Sequence, residues 1–162
     1  MIVFRPDARF ATAHPAHVLA FGFGAGLSPF APGTAGTLLG WGLGLWLGAW
    51  LTPAALLAVA GVLFAAGIWA CGVTGRHLGV HDHGGMVWDE VVAFLLILSL
   101  VPRTLEWQAA AFVLFRAFDI LKPAPIRRIE RRFHGGFGVM FDDILAAGYT
   151  LLALSLVKRL FL

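Results

Sequence analysis

The sequence predicts an all-α protein: a polytopic helical membrane bundle with an irregular Gly/Pro-rich N-terminal segment. Three observations predict it. Of 162 residues, 59% are hydrophobic and 13% charged, where a soluble domain carries about 25% charged residues. The mean hydropathy is +0.84, more apolar surface than a chain of this size can hide in one core, so lipid must cover the rest. Between Arg9 and Arg76 there is no Asp, Glu, Lys or Arg at all. The length suits a single domain over residues 1–162.

Residues 1–12 carry Arg5, Asp7 and Arg9 among apolar residues and lack the order of a cleavable signal. Residues 21–37 hold five glycines, two prolines and three hydroxyl residues, a density that no helix tolerates throughout. Such backbone near lipid must be buried in protein or line a wet cavity. Residues 35–51 and 54–73 are uncharged, and Thr52-Pro53 separates them. Each approaches the ~20 residues of a bilayer crossing, and together they read as a helical hairpin. Gly36, Gly40 and Gly44 recur every fourth residue, a small-xxx-small stripe for close helix approach. The apolar runs 91–101, 107–121 and 144–157 reach only about 16 to 23 Å at 1.5 Å per residue. Either their polar flanks join the crossing or some are buried helices; three to five crossings are expected. In 124–134, Ile126, Ile129 and Phe133 line one helical face, and Arg127, Arg128, Arg131 and Arg132 another. That suits a surface helix among anionic headgroups.

The formal charge is +3, but the basic residues gather at the ends of apolar runs, as in oriented membrane proteins, and not on a nucleic-acid-binding face. Cys71 is the single cysteine, expected to be a buried, inert thiol.

Chemistry is carried by the acids. Five of nine lie in three places beside apolar runs: Asp89-Glu90, Asp119 and Asp142-Asp143. Ionisable groups there are expensive and read as functional by default. Structural alternatives exist: Asp89 or Asp142 as helix caps, and Asp119 as an ion-pair partner of Arg116 or Lys122. Capping explains one member of each doublet and leaves the other. Carboxylates bind Mg²⁺, which takes one or two of them with waters and phosphate, and Arg and Lys clamp phosphate oxygens. His81, Asp82 and His83 precede the first doublet. His81-x-His83 is not the helical pair of a zinc site, so acid–base or substrate-orienting roles fit better.

The blocks GFGAGLSPFAPGTAGTLLG, HDHGGMVWDEVVAF, FRAFDILKPAPI and HGGFGVMFDDILAAG occur in the order seen in the phosphatidylglycerophosphatase A family, which the chain resembles over residues 20–149. The resemblance implies a Mg²⁺-dependent phosphatase of the bacterial inner membrane, multi-pass, with a cytoplasmic-side site. Its substrate would be the phospholipid phosphatidylglycerophosphate, hydrolysed to phosphatidylglycerol and phosphate. It implies Asp89, Glu90, Asp119, Asp142 and Asp143 as metal ligands and Arg116 and Lys122 as phosphate-facing bases. Arg127, Thr34 and Thr37 complete the expected phosphate-binding set, with Asp119, Asp82, His81 and His83 as catalytic candidates.

Rival chemistries fit worse. Four residues separate Cys71 from Arg76, one short of the five in the cysteine-phosphatase loop. No D-x-D of the aspartyl-phosphate enzymes and no CDP-alcohol transferase core is present. The alternative from another class is an ion- or proton-coupled transporter, which would also hold Asp119 in a membrane helix but usually shows two related halves.

Overall fold

A computed structural model describes residues 6–124, 126–130 and 132–161, all helix and connecting turns with no strand among them. Two short helices open the chain. In α1 (Ala8–Thr12) the Asp7 carboxylate accepts from the Phe10 N–H at 2.8 Å. In α2 (Pro15–Ala20) His14 Nδ1 accepts from the Ala16 N–H at 3.1 Å. A 3₁₀ segment, Gly22–Leu27, follows and is broken by Phe23 (φ 53°) and Gly24 (φ 104°).

The irregular stretch is shorter than expected. Helix α3 (Pro32–Gly48) begins three residues before the predicted start, so Gly33 to Thr37 are helical. Pro32 stands near the N-terminus, where its missing N–H is no loss, and the glycines beyond it serve packing. Helix α4 (Pro53–Leu78) starts one residue before the predicted run, capped by Thr52 Oγ1 on the Ala55 N–H at 3.2 Å. It runs five residues past the predicted end and stops at Gly79, whose φ of 70° suits a left-handed C-cap.

The predicted hairpin is the larger correction. α3 and α4 are consecutive and barely touch; α3 packs along α5 (Trp88–Leu100), which also packs on α4 and α8. The glycine stripe explains why. A Cβ at Gly36 would meet Val87 Cβ at 2.7 Å, one at Gly40 the Val91 carbonyl at 2.8 Å, and one at Gly44 the Leu98 side chain. The stripe works as predicted, but its partner is α5. Because contacts advance along both helices together, α3 and α5 run parallel.

Eleven of the thirteen residues of α5 are buried, so this short apolar run is a core helix enclosed by its neighbours. Trp88 Nε1 ties it to α4 by donating to the Leu63 carbonyl at 3.2 Å. Helix α6 (Leu105–Leu121) packs on α8, and Trp41 Nε1 donates to Gln108 Oε1 at 2.7 Å to bind it to α3. Arg103 donates to the Gly48 and Leu51 carbonyls at 2.7 and 2.9 Å, satisfying free carbonyls at the end of α3.

The expected arginine-rich surface helix reduces to α7 (Ile126–Glu130). Ile126 is buried, while Arg127, Arg128 and Arg132 are exposed; Arg131 lies outside the described residues. Helix α8 (Gly135–Phe161) starts nine residues before the predicted run. Its Gly136 lies against α4 so closely that a Cβ would collide with the Ile68 carbonyl.

α4 and α8 are long and apolar enough to cross a membrane. The outward faces match: Trp46, Trp50, Val62, Trp69, Leu152 and Leu160 are each more than half exposed. Apolar exposure on this scale marks a surface that water does not cover.

Candidate metal and phosphate site

Four helices converge at one end of the bundle. α5 brings Asp89 and Glu90 in its first turn. The antiparallel α6 brings Arg116 and Asp119 in its last two turns, with Lys122 as its C-cap. α8 brings Asp142 and Asp143 two turns in, and the first turn of α3 closes over Glu90 and Arg116 at Gly33. The structure thus draws together all five acids and both bases that the sequence singles out.

Asp89, Asp142 and Asp143 each offer a ligand atom within 4.8 Å of the others, and so do Glu90, Asp119 and Asp143. Asp142 and Asp143 lie inside α8, so capping does not explain them. The ion-pair alternative for Asp119 is half right. Arg116 Nη1 meets Asp119 Oδ2 at 2.7 Å, while Lys122 Nζ meets Asp142 Oδ2 at 2.5 Å. Asp119 nevertheless belongs to an acidic trio as well.

Arg116 is the hub. Nη1 also reaches Glu90 Oε1 at 3.5 Å and donates to Thr37 Oγ1 at 3.4 Å, and Thr37 donates onward to the Gly33 carbonyl at 2.9 Å. Its Nε is buried with no partner. Asp89 Oδ1, Glu90 Oε2 and Asp143 Oδ2 are likewise buried and unpartnered. Removing one ion from water costs several kcal/mol unless an opposite charge compensates, and five carboxylates outnumber the two bases. Hard oxygen donors turned together in this way fit a divalent cation.

Lys122 holds an unusual backbone, φ 41° and ψ 65°, at a C-cap where Gly or Asn is usual. Its ammonium returns to Asp142, which is a reason for Lys at a strained position. Lys122, Arg127 and Arg128 line a recess of about 310 Å³, and Arg127 Nη2 donates to the Leu121 carbonyl at 3.2 Å.

The remaining candidates divide. His81 and Asp82 are exposed and share a cavity of about 140 Å³ with His134 and Asp142. His83 does not line it; its Nδ1 accepts from the Gly85 N–H at 3.0 Å within the turn. Thr34 is half-buried, and Thr37 is fully buried with its hydroxyl engaged as above. Two residues escaped sequence reasoning. Gly33 could be suspected only from its place one residue into a helix, and His134 only from adjoining the glycine pair that opens α8. Cys71 is buried, as expected.

The sequence profile of the phosphatidylglycerophosphatase A family matches residues 18–158. A phosphatidylglycerophosphatase A of Haemophilus influenzae is 43% identical over 94% of each chain. That of Escherichia coli is 42% identical over 86% of this chain and 81% of its own. A Bacteroides thetaiotaomicron protein, provisionally described as a phosphatidylinositol-3-phosphatase, is 44% identical over 85% of this chain and 89% of its own. No solved structure matches.

Proposed function

Because the chain belongs to the phosphatidylglycerophosphatase A family, we propose that it hydrolyses the phosphomonoester of phosphatidylglycerophosphate, with Mg²⁺, to give phosphatidylglycerol and phosphate. The observation that carries this is the meeting of five carboxylates with Arg116 and Lys122, three carboxylate oxygens being buried and unpartnered. Family membership leaves the transporter alternative without support.

Asp89, Glu90, Asp119, Asp142 and Asp143 would hold the cation. When bound, Mg²⁺ would polarise the phosphoryl group, activate water and stabilise the leaving oxygen. Arg116 binds phosphate through the guanidinium N–H groups that remain once Nη1 is held by Asp119, Glu90 and Thr37. Thr37 therefore acts on phosphate through Arg116, and Thr34 opens the same turn. α3 and α5 both start at the site, so their N-terminal dipoles favour an anion there. Lys122 draws the phosphate from the basic recess shared with Arg127. Water's oxygen bonds to phosphorus as the ester P–O bond breaks. A carboxylate of the cluster, Asp119 foremost, takes water's proton. His81, beside Asp82 at the rim, returns a proton to the departing glycerol oxygen. His83 shapes the turn that presents them.

The whole chain would act as one membrane-embedded unit, multi-pass in the bacterial inner membrane, its site toward the cytoplasm. Arg127, Arg128 and Arg132 lie at the site end and suit the positive-inside rule. α8 carries Lys158 and Arg159 to the opposite end, where Arg103 also caps α3. The bias toward the site end is therefore modest.

Purified protein in detergent should release phosphate from phosphatidylglycerophosphate, stop in excess EDTA and recover with Mg²⁺. Undiminished release in EDTA would overturn the proposal.

A further inference from the structure

We propose that the acidic cluster holds two divalent cations and that Asp143 is the ligand they share. This rests on the metal-binding reading above and goes beyond it in number and arrangement. One ion lies among Asp89, Asp142 and Asp143, the other among Glu90, Asp119 and Asp143, the two trios whose ligand atoms fall within 4.8 Å.

Three observations carry it. The supply of ligands is too large for one ion, since Mg²⁺ takes one or two carboxylates and keeps several waters. Five carboxylates converge here. The residues that carry an unpartnered oxygen are distributed as two sites require: Asp89 belongs to the first trio, Glu90 to the second, and Asp143 to both. These residues are only 8%, 9% and 2% exposed, so solvent does not compensate them.

Charge gives the third argument. Five carboxylates with Arg116 and Lys122 leave the cluster at minus three. One divalent ion brings it to minus one, which repels a phosphomonoester dianion. A second ion brings it to plus one, which attracts it. Two-metal centres that act on phosphate esters set their ions about 3.5–4 Å apart, a separation that one shared carboxylate can span. Asp143 suits that place: it is the most buried of the five and the member common to both trios.

The test uses Mn²⁺ and needs no turnover. The full chain in detergent is stripped with chelator, dialysed against Mn²⁺ and assayed for bound metal per folded chain, with the electron paramagnetic resonance spectrum recorded alongside. Two Mn²⁺ per chain with a spin-coupled spectrum are expected. Asp89→Asn and Glu90→Gln should each retain one uncoupled ion, and Asp143→Asn should lose the coupled pair; melting curves confirm that each is folded. One Mn²⁺ per wild-type chain at saturation would overturn the two-ion arrangement and leave the metal reading standing. Loss of all metal in folded Asp89→Asn and Glu90→Gln alike would also overturn it, because both would then serve a single ion. No bound Mn²⁺ in the wild type would overturn both.

Discussion

Gly33 offers a test of how far the site depends on backbone placement. A Cβ there would collide with Glu90 Oε1 and stand 2.8 and 3.1 Å from the Arg116 Nη atoms. Both neighbours are ends of flexible side chains, so they give way and the helix survives. Moving the guanidinium from 2.8 Å to an ordinary contact of 3.4 Å shifts it by about 0.6 Å, and a ~1 Å misplacement at a reacting centre can lower turnover ~10²-fold. Gly33→Ala should therefore lose roughly 10- to 100-fold in turnover, a barrier rise of about 1.4 to 2.7 kcal/mol, with little change in melting temperature. Two positions on the same helix serve as controls. Gly42 has nothing within 4 Å, so Gly42→Ala should stabilise by up to ~1 kcal/mol through helix propensity alone. At Gly40 a Cβ would meet the Val91 backbone at 2.8 and 3.0 Å, which cannot step aside. Gly40→Ala should then destabilise by about 1–3 kcal/mol while folded molecules keep most of their turnover. The assay is phosphate release per folded molecule beside a melting curve in detergent. Wild-type turnover in Gly33→Ala, or a loss no larger than that of Gly40→Ala, would refute the reasoning.

Further outcomes follow from other contacts. Arg103→Ala removes two hydrogen bonds from the end of α3 and should destabilise by about 1 kcal/mol, read from the melting midpoint, with turnover per folded molecule unchanged. A cysteine replacing exposed Arg128 should resist an impermeant thiol reagent in intact cells and react after permeabilisation. Ready labelling from outside would invert the proposed topology.

The acidic doublets were legible because charge beside apolar sequence has few explanations, and Asp89, Glu90, Asp119, Asp142 and Asp143 do converge. Pairing of helices was not. The stripe at Gly36, Gly40 and Gly44 announces a close partner without naming it, and chain adjacency suggested α4 where packing chose α5. The early start of α8 was hidden for a similar reason. The apolar run is continuous only from Ile144, yet at Gly136 the backbone of α4 leaves no room for a side chain. Thr37 was expected among the phosphate-binding residues, and its burial and its contact with Arg116 emerge only from the fold. Tertiary neighbours decided each of these, and local sequence does not encode them.

Asp119 gives the most direct test of the central claim that the buried carboxylates perform the hydrolysis. Its carboxylate both pairs with Arg116 at 2.7 Å and stands in a trio with Glu90 and Asp143. Asp119→Asn keeps the shape and removes the charge. Turnover normalised to folded protein, with the melting curve beside it, separates the roles. The account predicts a fall of orders of magnitude in a variant that still inserts and melts as a folded protein. Near-normal turnover with a lowered melting point would contradict it and leave Asp119 as an ion-pair partner alone.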